Sequence, residues 1–174
     1  MAETVVAAGV KEAYAKLKTQ LTQNKSRIIT EEPPKYVSAI QGSLWGTSPK
    51  TAQKKITYTL RQDASGTHIT STSSLTSGYI NLTLVGCALS IALMLLCAWI
   101  AVDLQAYASI GVQGFWSWLA QIHGHVDPDK AAMFIKLGWI LAVFLAATLV
   151  AEGIIVARVR AKIGAFAEET LKTL

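Results

Sequence analysis

Residues 80–102 read Ile80-Asn-Leu-Thr-Leu-Val-Gly-Cys-Ala-Leu-Ser-Ile-Ala-Leu-Met-Leu-Leu-Cys-Ala-Trp-Ile-Ala-Val102 and carry no formal charge. As a helix this stretch spans about 34 Å, enough for a hydrocarbon core of roughly 30 Å. Helices buried in soluble domains rarely stay apolar for so long, so the stretch is expected to cross a bilayer. A second apolar run, Leu137–Ala157, is interrupted only by Glu152. It follows Asp127-Pro128-Asp129-Lys130, which has the grammar of a helix start. Asp127 is placed as N-cap, Pro128 as first helical residue, and Asp129 where an acid complements the helix dipole. Lys136 is placed to snorkel to the nearby surface. Residues 79–157 are therefore expected to form a two-span transmembrane hairpin with an interfacial loop over 103–130.

Charge asymmetry orients the hairpin. The connecting loop from Asp103 to Lys130 holds three acids and one lysine, whereas Arg158, Arg160 and Lys162 crowd the exit of the second span. Cytoplasmic flanks carry the excess of Lys and Arg, so both termini are expected inside a multi-pass plasma-membrane protein. Trp99 and Trp139 agree, each falling a few residues from the same outer surface. The hydrophobic stretch Val5–Val10 is too short for a signal-peptide core, which leaves the first span as the expected insertion signal. The net charge of +5 is scattered, without aromatic interleaving, and is not read as a nucleic-acid footprint. Anionic lipid headgroups or a cytoplasmic location explain it equally well, and the lipid bilayer is an expected partner. Cys87 and Cys97 lie about 15 Å apart on one helix, too far for an intrachain disulfide.

Residues 1–78 have another texture, with ten Lys/Arg and five Asp/Glu over residues 1–79. Thr4–Asn24 is expected to be an amphipathic helix with Val6, Val10, Ala13, Tyr14, Leu17 and Leu21 on one stripe. Lys11, Lys16 and Lys18 lie off that stripe, and packing on the following sheet is preferred over lying on a membrane. Strands are expected at Arg27–Glu31, stopped by Pro33-Pro34, and at Lys35–Trp45. Lys55–Gln62 alternates, with Ile56, Tyr58 and Leu60 facing one way. Asp63-Ala64-Ser65-Gly66 is a hairpin loop leading back through Thr67–Leu75. The expectation is an α+β cytoplasmic domain, one helix over an antiparallel sheet of about four strands. Residues 158–174 are expected to continue the second span into the cytoplasm, with Val159, Ile163, Phe166 and Leu174 as an apolar stripe.

Across residues 4–76 the amphipathic helix, Gln41-Gly42-Ser43, and Ile56-Thr57-Tyr58-Thr59-Leu60 turning through Ser65-Gly66-Thr67 form a pattern. It resembles part of a helix-grip domain of the SRPBCC, or Bet v 1-like, family. That resemblance implies further strands, a long closing helix along the sheet, and an apolar ligand cavity. Here the chain turns into its first span where those last elements would come.

Candidate sites are few. Glu152 lies about 9 Å inside Arg158, where a carboxylate costs roughly 2–3 kcal/mol on insertion scales. It is read as the partner of a cation on another subunit, as a proton carrier, or as a group reaching interfacial water. Gly86 and Ser90 on the first span, with Gly138, Ala142 and Ala146 on the second, form small-residue ridges. These ridges serve either the two spans or another protein. Ile110, Phe115, Trp118, Leu119 and Ile122, with Trp116 beside them, suggest a short interfacial helix. His123, His125, Asp127 and Asp129 include ligand types that zinc or copper accept, but the two acids already have a capping role. His123 and His125 therefore remain weak metal candidates, and no metal or cofactor is expected. Asn24-Lys25-Ser26 and Asn81-Leu82-Thr83 match the glycosylation pattern but fall on the wrong side or in the span.

No Ser/His/Asp or Cys/His spacing suggests a nucleophile, and no glycine loop suits a phosphate. The chain is therefore expected to be non-enzymatic: an accessory or scaffolding subunit packing against other membrane subunits or a homo-oligomer. Two alternatives are a membrane-tethered module binding a lipid or other apolar ligand, and a small transporter or channel subunit using Glu152.

Overall fold

The structure, a computed structural model, describes residues 2–172, without the side chains of Ala2, residues 165–170 and Lys172. Two compact units emerge, one from Met1–Thr83 with Ile154–Leu174, the other from Leu84–Gly153.

The first unit is built on a five-stranded antiparallel sheet in the order β1-β5-β4-β3-β2. Its strands are β1 (Ala2–Val6), β2 (Arg27–Glu32), β3 (Tyr36–Gln41), β4 (Lys54–Asp63) and β5 (Gly66–Leu75). Five strands correct the expected four or so. The additional one is β1, whose residues 4–6 were expected to begin the helix. Thr4, Val5 and Val6 are β-branched, and they pair with Ile69, His68 and Thr67 of β5. Helix α1 (Val10–Gln23) starts only after Gly9, whose extended backbone serves as N-cap. The β4–β5 hairpin falls where expected, with Asp63 opposite Gly66. Gly66 has φ +133°, and a side chain there would meet the Val6 carbonyl oxygen at 2.7 Å. Only glycine lets β1 close against that corner.

The helical stripe and the strand alternation bury as their periods require. Ala13, Tyr14, Leu17 and Leu21 of α1 share one core with Val37, Ala39, Ile56, Tyr58, Leu60 and Ile69. The opposite sheet face leaves Lys55, Thr59, Arg61 and Thr72 exposed. Tyr14 adds a polar clasp: its hydroxyl donates to Glu31 Oε2 at 3.0 Å, beside the Lys18–Glu31 ion pair at 2.9 Å. Burial and then the Glu31 hydrogen bond push the Tyr14 hydroxyl pKa up. Lys18 and Tyr14 hold the Glu31 carboxyl below its usual value.

A helix also closes the sheet after it. Helix α3 (Pro128–Lys172) ends in the first unit. There Val159 packs with Ala52, Tyr79, Leu75 and Ile155, and Leu171 joins the α1–sheet core. Ser73 Oγ donates to the Ile163 carbonyl at 3.0 Å. Of the stripe expected over 158–174, Val159 is thus buried, while the side chains of Phe166 and Leu174 lie outside the described residues.

Lys54 is fully buried where β4 begins, its ammonium donating to the Pro49 and Lys50 carbonyls at 2.8 and 3.2 Å. Burial, and secondarily the Lys50 charge, lower its pKa from 10.5 to about 8. The unfolded chain therefore binds more protons than the folded one between those two values, and stability must rise with pH across that window. Denaturant titrations followed by the β-sheet circular dichroism of the full chain should show a gain of about 1–2 kcal/mol from pH 8 to 9.5. In Lys54→Met that gain disappears.

Helix α2 (Ser77–Ile110) and the Pro128–Gly164 part of α3 are long and apolar enough to cross a membrane. Helices suit that environment because every backbone hydrogen bond closes within the segment. α2 outlasts the apolar run by eight residues and ends at Gly111, whose φ of +72° and N–H to the Tyr107 carbonyl make a left-handed cap. The expected interfacial helix is replaced by a one-turn 3₁₀ segment (Ser117–Ala120) and a miniature hairpin, β6 (Gln121–Ile122) with β7 (His125–Val126). Glycines at 111 and 114 and the ladder at 121–126 interrupt the helical period that the apolar residues suggested.

Candidate packing surface of the apolar hairpin

Within the second unit, the small residues of the two helices have different fates. A side chain added at Gly138 would lie 3.0 Å from both the Cys97 carbonyl oxygen and the Ala101 Cβ. Ala101 and Ala142 are buried at the same seam. Glycine at 138 is what allows the helices to touch backbone to backbone, and the ridge from Gly138 to Ala142 is consumed inside the hairpin. Gly86 differs, since a side chain added there meets nothing within 4 Å. Ser90, one turn on, and Ala146 are half-buried. Around them Leu84, Val85, Leu89, Leu93, Val143 and Phe144 are exposed.

Glu152 is not alone. The Cys87 thiol donates to its Oε2 at 3.3 Å, joining α2 to α3. A thiol is a weak donor, but it gives the carboxyl a polar partner between two largely apolar helices. The pairing was missed from sequence, although a signal existed. Cys87 lies seven residues past the start of the first run and Glu152 six before Arg158, so both sit at the same depth once the hairpin closes.

The far end of the hairpin is closed by its own loop. Leu104, Tyr107, Ala120 and Ala131 form a small core, with Trp116, Leu119 and Phe134 packed against it. Asp103 accepts from the Trp116 backbone N–H at 2.7 Å, which ties α2 to the loop and explains an acid at that boundary. Trp99 stacks on Phe115 at 5.8 Å and meets Trp116 edge-on at 5.6 Å, while Phe115 and Trp116 are edge-on at 4.9 Å. Trp118 and Trp139 are exposed. Three of the five residues expected at the interface, Trp99, Phe115 and Trp116, thus form one aromatic cluster.

His123 and Gly124, with φ of +50° and +83°, are the two central residues of the β6–β7 turn. Positive φ at both positions is what a type I′ turn demands. Asp127 Oδ1 accepts from the backbone N–H groups of Asp129 and Lys130 at 3.0 and 3.2 Å, which is the expected helix cap. Among the described residues no three His, Cys, Asp or Glu side chains converge on a point where a metal would sit.

The arrangement is one of packing: a seam closed by small residues, one polar pair, an aromatic cap and an open apolar face. Comparison with family models, with curated proteins and with solved structures finds no match to the chain.

Proposed function

We propose that the chain is a non-enzymatic, two-span membrane protein that serves as an accessory or scaffolding subunit. It packs against a second copy or another membrane subunit through the α2 face around Gly86 and Ser90. The observation that carries this reading is the sorting of the small residues. Gly138 and Ala142 are used up between the two helices, whereas Gly86 opens onto unoccupied space on an apolar face. Without a hydrophobic drive between helices in lipid, such close-approach sites are where association gains most from packing.

The charge bias supports a cytoplasmic placement of both termini and of the sheet domain. The resemblance to helix-grip domains is retained for the first unit, since α1 follows the first strand of the sheet and the end of α3 follows its last, both over the same core. Leu17, Val37, Ile56 and Ile69 occupy that core at 0–1% exposure, which favours a packed scaffold over a ligand-holding cavity. The Cys87 partner of Glu152 likewise supports a packing role for that carboxyl over ion handling.

The test is the association state of the full chain in lipid nanodiscs and mild detergent. The wild type should form a homo-oligomer or retain a stoichiometric partner. Gly86→Leu should weaken that association at least tenfold, about 1.4 kcal/mol, and leave the monomer folded. A strictly monomeric wild type with nothing co-purifying would refute the scaffolding role.

A further inference from the structure

We propose that the segment of residues 43–52 is a built lipid-contacting foot, and that Trp45 sits at the headgroup level of the bilayer that receives α2. This rests on the reading of α2 as a membrane span. Trp45 is 80% exposed, with Leu44 beside it also exposed. Full exposure of an indole on a mobile tip would carry little meaning, but this loop is closed by its own hydrogen bonds. Ser43 N–H donates to the Thr51 carbonyl at 2.7 Å, Gly46 N–H to Ser43 at 3.1 Å and Ala52 N–H to Ser48 at 2.8 Å. The Ser48 and Thr51 hydroxyls meet at 2.8 Å, and buried Lys54 holds the Pro49 and Lys50 carbonyls. Gly46 is so tightly placed that a side chain there would collide with the Thr51–Ala52 backbone.

The loop is also fastened to the first turn of α2. The Tyr79 hydroxyl, buried, donates to the Gly46 carbonyl at 2.9 Å. The Thr76 hydroxyl donates to Gln53 Oε1 at 2.7 Å, and a side chain at Gly78 would touch Leu44 Cδ2 at 3.3 Å. Tyr79 is the residue immediately before Ile80, where the apolar run begins. The tryptophan is therefore held, through the neighbouring Gly46, at the level where the chain passes from polar to apolar. That is the level tryptophan prefers, its ring amphipathic and its N–H able to meet headgroup oxygens. Lys50, exposed on the same loop, adds a cation suited to lipid phosphates. Lipid fits this patch better than a protein partner does, because the fastening to α2 brings the indole to the bilayer surface without any further association.

The full chain labelled with fluorotryptophan at its five tryptophans, in nanodiscs of phosphatidylcholine and phosphatidylglycerol, tests this by ¹⁹F NMR. The Trp45 line is identified by its loss in Trp45→Phe. It should broaden severalfold with a lipid spin-labelled near the headgroup and be shielded from a soluble gadolinium chelate. A Trp45 line broadened by the chelate and indifferent to the lipid label, while Trp99 and Trp139 respond to lipid, overturns the foot and leaves the spans standing. Shielding from both probes means that protein covers Trp45, which also overturns it. If Trp99 and Trp139 ignore the lipid label as well, the membrane reading itself falls, and the foot with it.

Discussion

Val159→Asp is expected to unfold or nearly unfold the sheet domain, although Val159 lies more than eighty residues beyond β5, the last strand of that sheet. The side chain is 0% exposed and packs on Ala52 and Tyr79, with Leu75 and Ile155 alongside. None of these offers a hydrogen bond or an opposite charge to a carboxylate placed among them, apart from the Tyr79 hydroxyl already donated to Gly46. An uncompensated buried charge costs about 3–5 kcal/mol, a large share of a domain's total stability of roughly 5–15 kcal/mol. Hydrogen exchange of the β4 and β5 amides in the full chain, or protease sensitivity within residues 1–76, reads the loss. Val159→Ala removes only two methyl groups and should cost about 1–2 kcal/mol. Equal protection in the wild type and Val159→Asp would mean that the end of α3 does not close the sheet.

Gly138→Leu is expected to prise the hairpin open. The first added carbon already stands 3.0 Å from a backbone oxygen and 3.0 Å from Ala101 Cβ, and three more carbons must follow it into the seam. Backbone on one side and a buried alanine on the other cannot rotate away. The cost should fall at the upper end of overpacking effects, about 3 kcal/mol. It should register as a lower unfolding midpoint in mixed micelles, followed by the near-ultraviolet dichroism of the Trp99–Trp116 pair. Gly86→Leu, entering open space, should leave that midpoint within about 0.5 kcal/mol of the wild type. If both variants behaved alike, the seam would not run through Gly138. The contrast separates what holds the hairpin together from what it offers to a neighbour.

Much of this was legible in the linear chain because it depends on local period and local chemistry. A run of 23 uncharged residues declares itself whatever surrounds it, and so does Asp127-Pro128 as the start of α3. The burial of Ala13, Tyr14, Leu17 and Leu21 follows from helical spacing, and that of Ile56, Tyr58 and Leu60 from strand alternation. The Asp63–Gly66 turn follows from its length and its glycine.

The rest depended on partners far apart in sequence. Thr4–Val6 are compatible with either a helical stripe or an edge strand, and only the free edge of β5 chose the strand. Gly86 and Gly138 are the same residue in similar company. Which of them faces the neighbouring helix depends on how two helices are rotated about their axes, and an apolar all-round surface carries no period to announce that rotation. Cys87 found Glu152 for the same reason, once the seam was set. By itself the sequence determined two long apolar helices and an amphipathic helix with its strands. Tertiary structure alone decided that the end of α3 returns to close the sheet. A helix can bury a stripe only against a surface, and the sheet-domain surface that Val159 and Leu171 meet is assembled from residues eighty or more positions away.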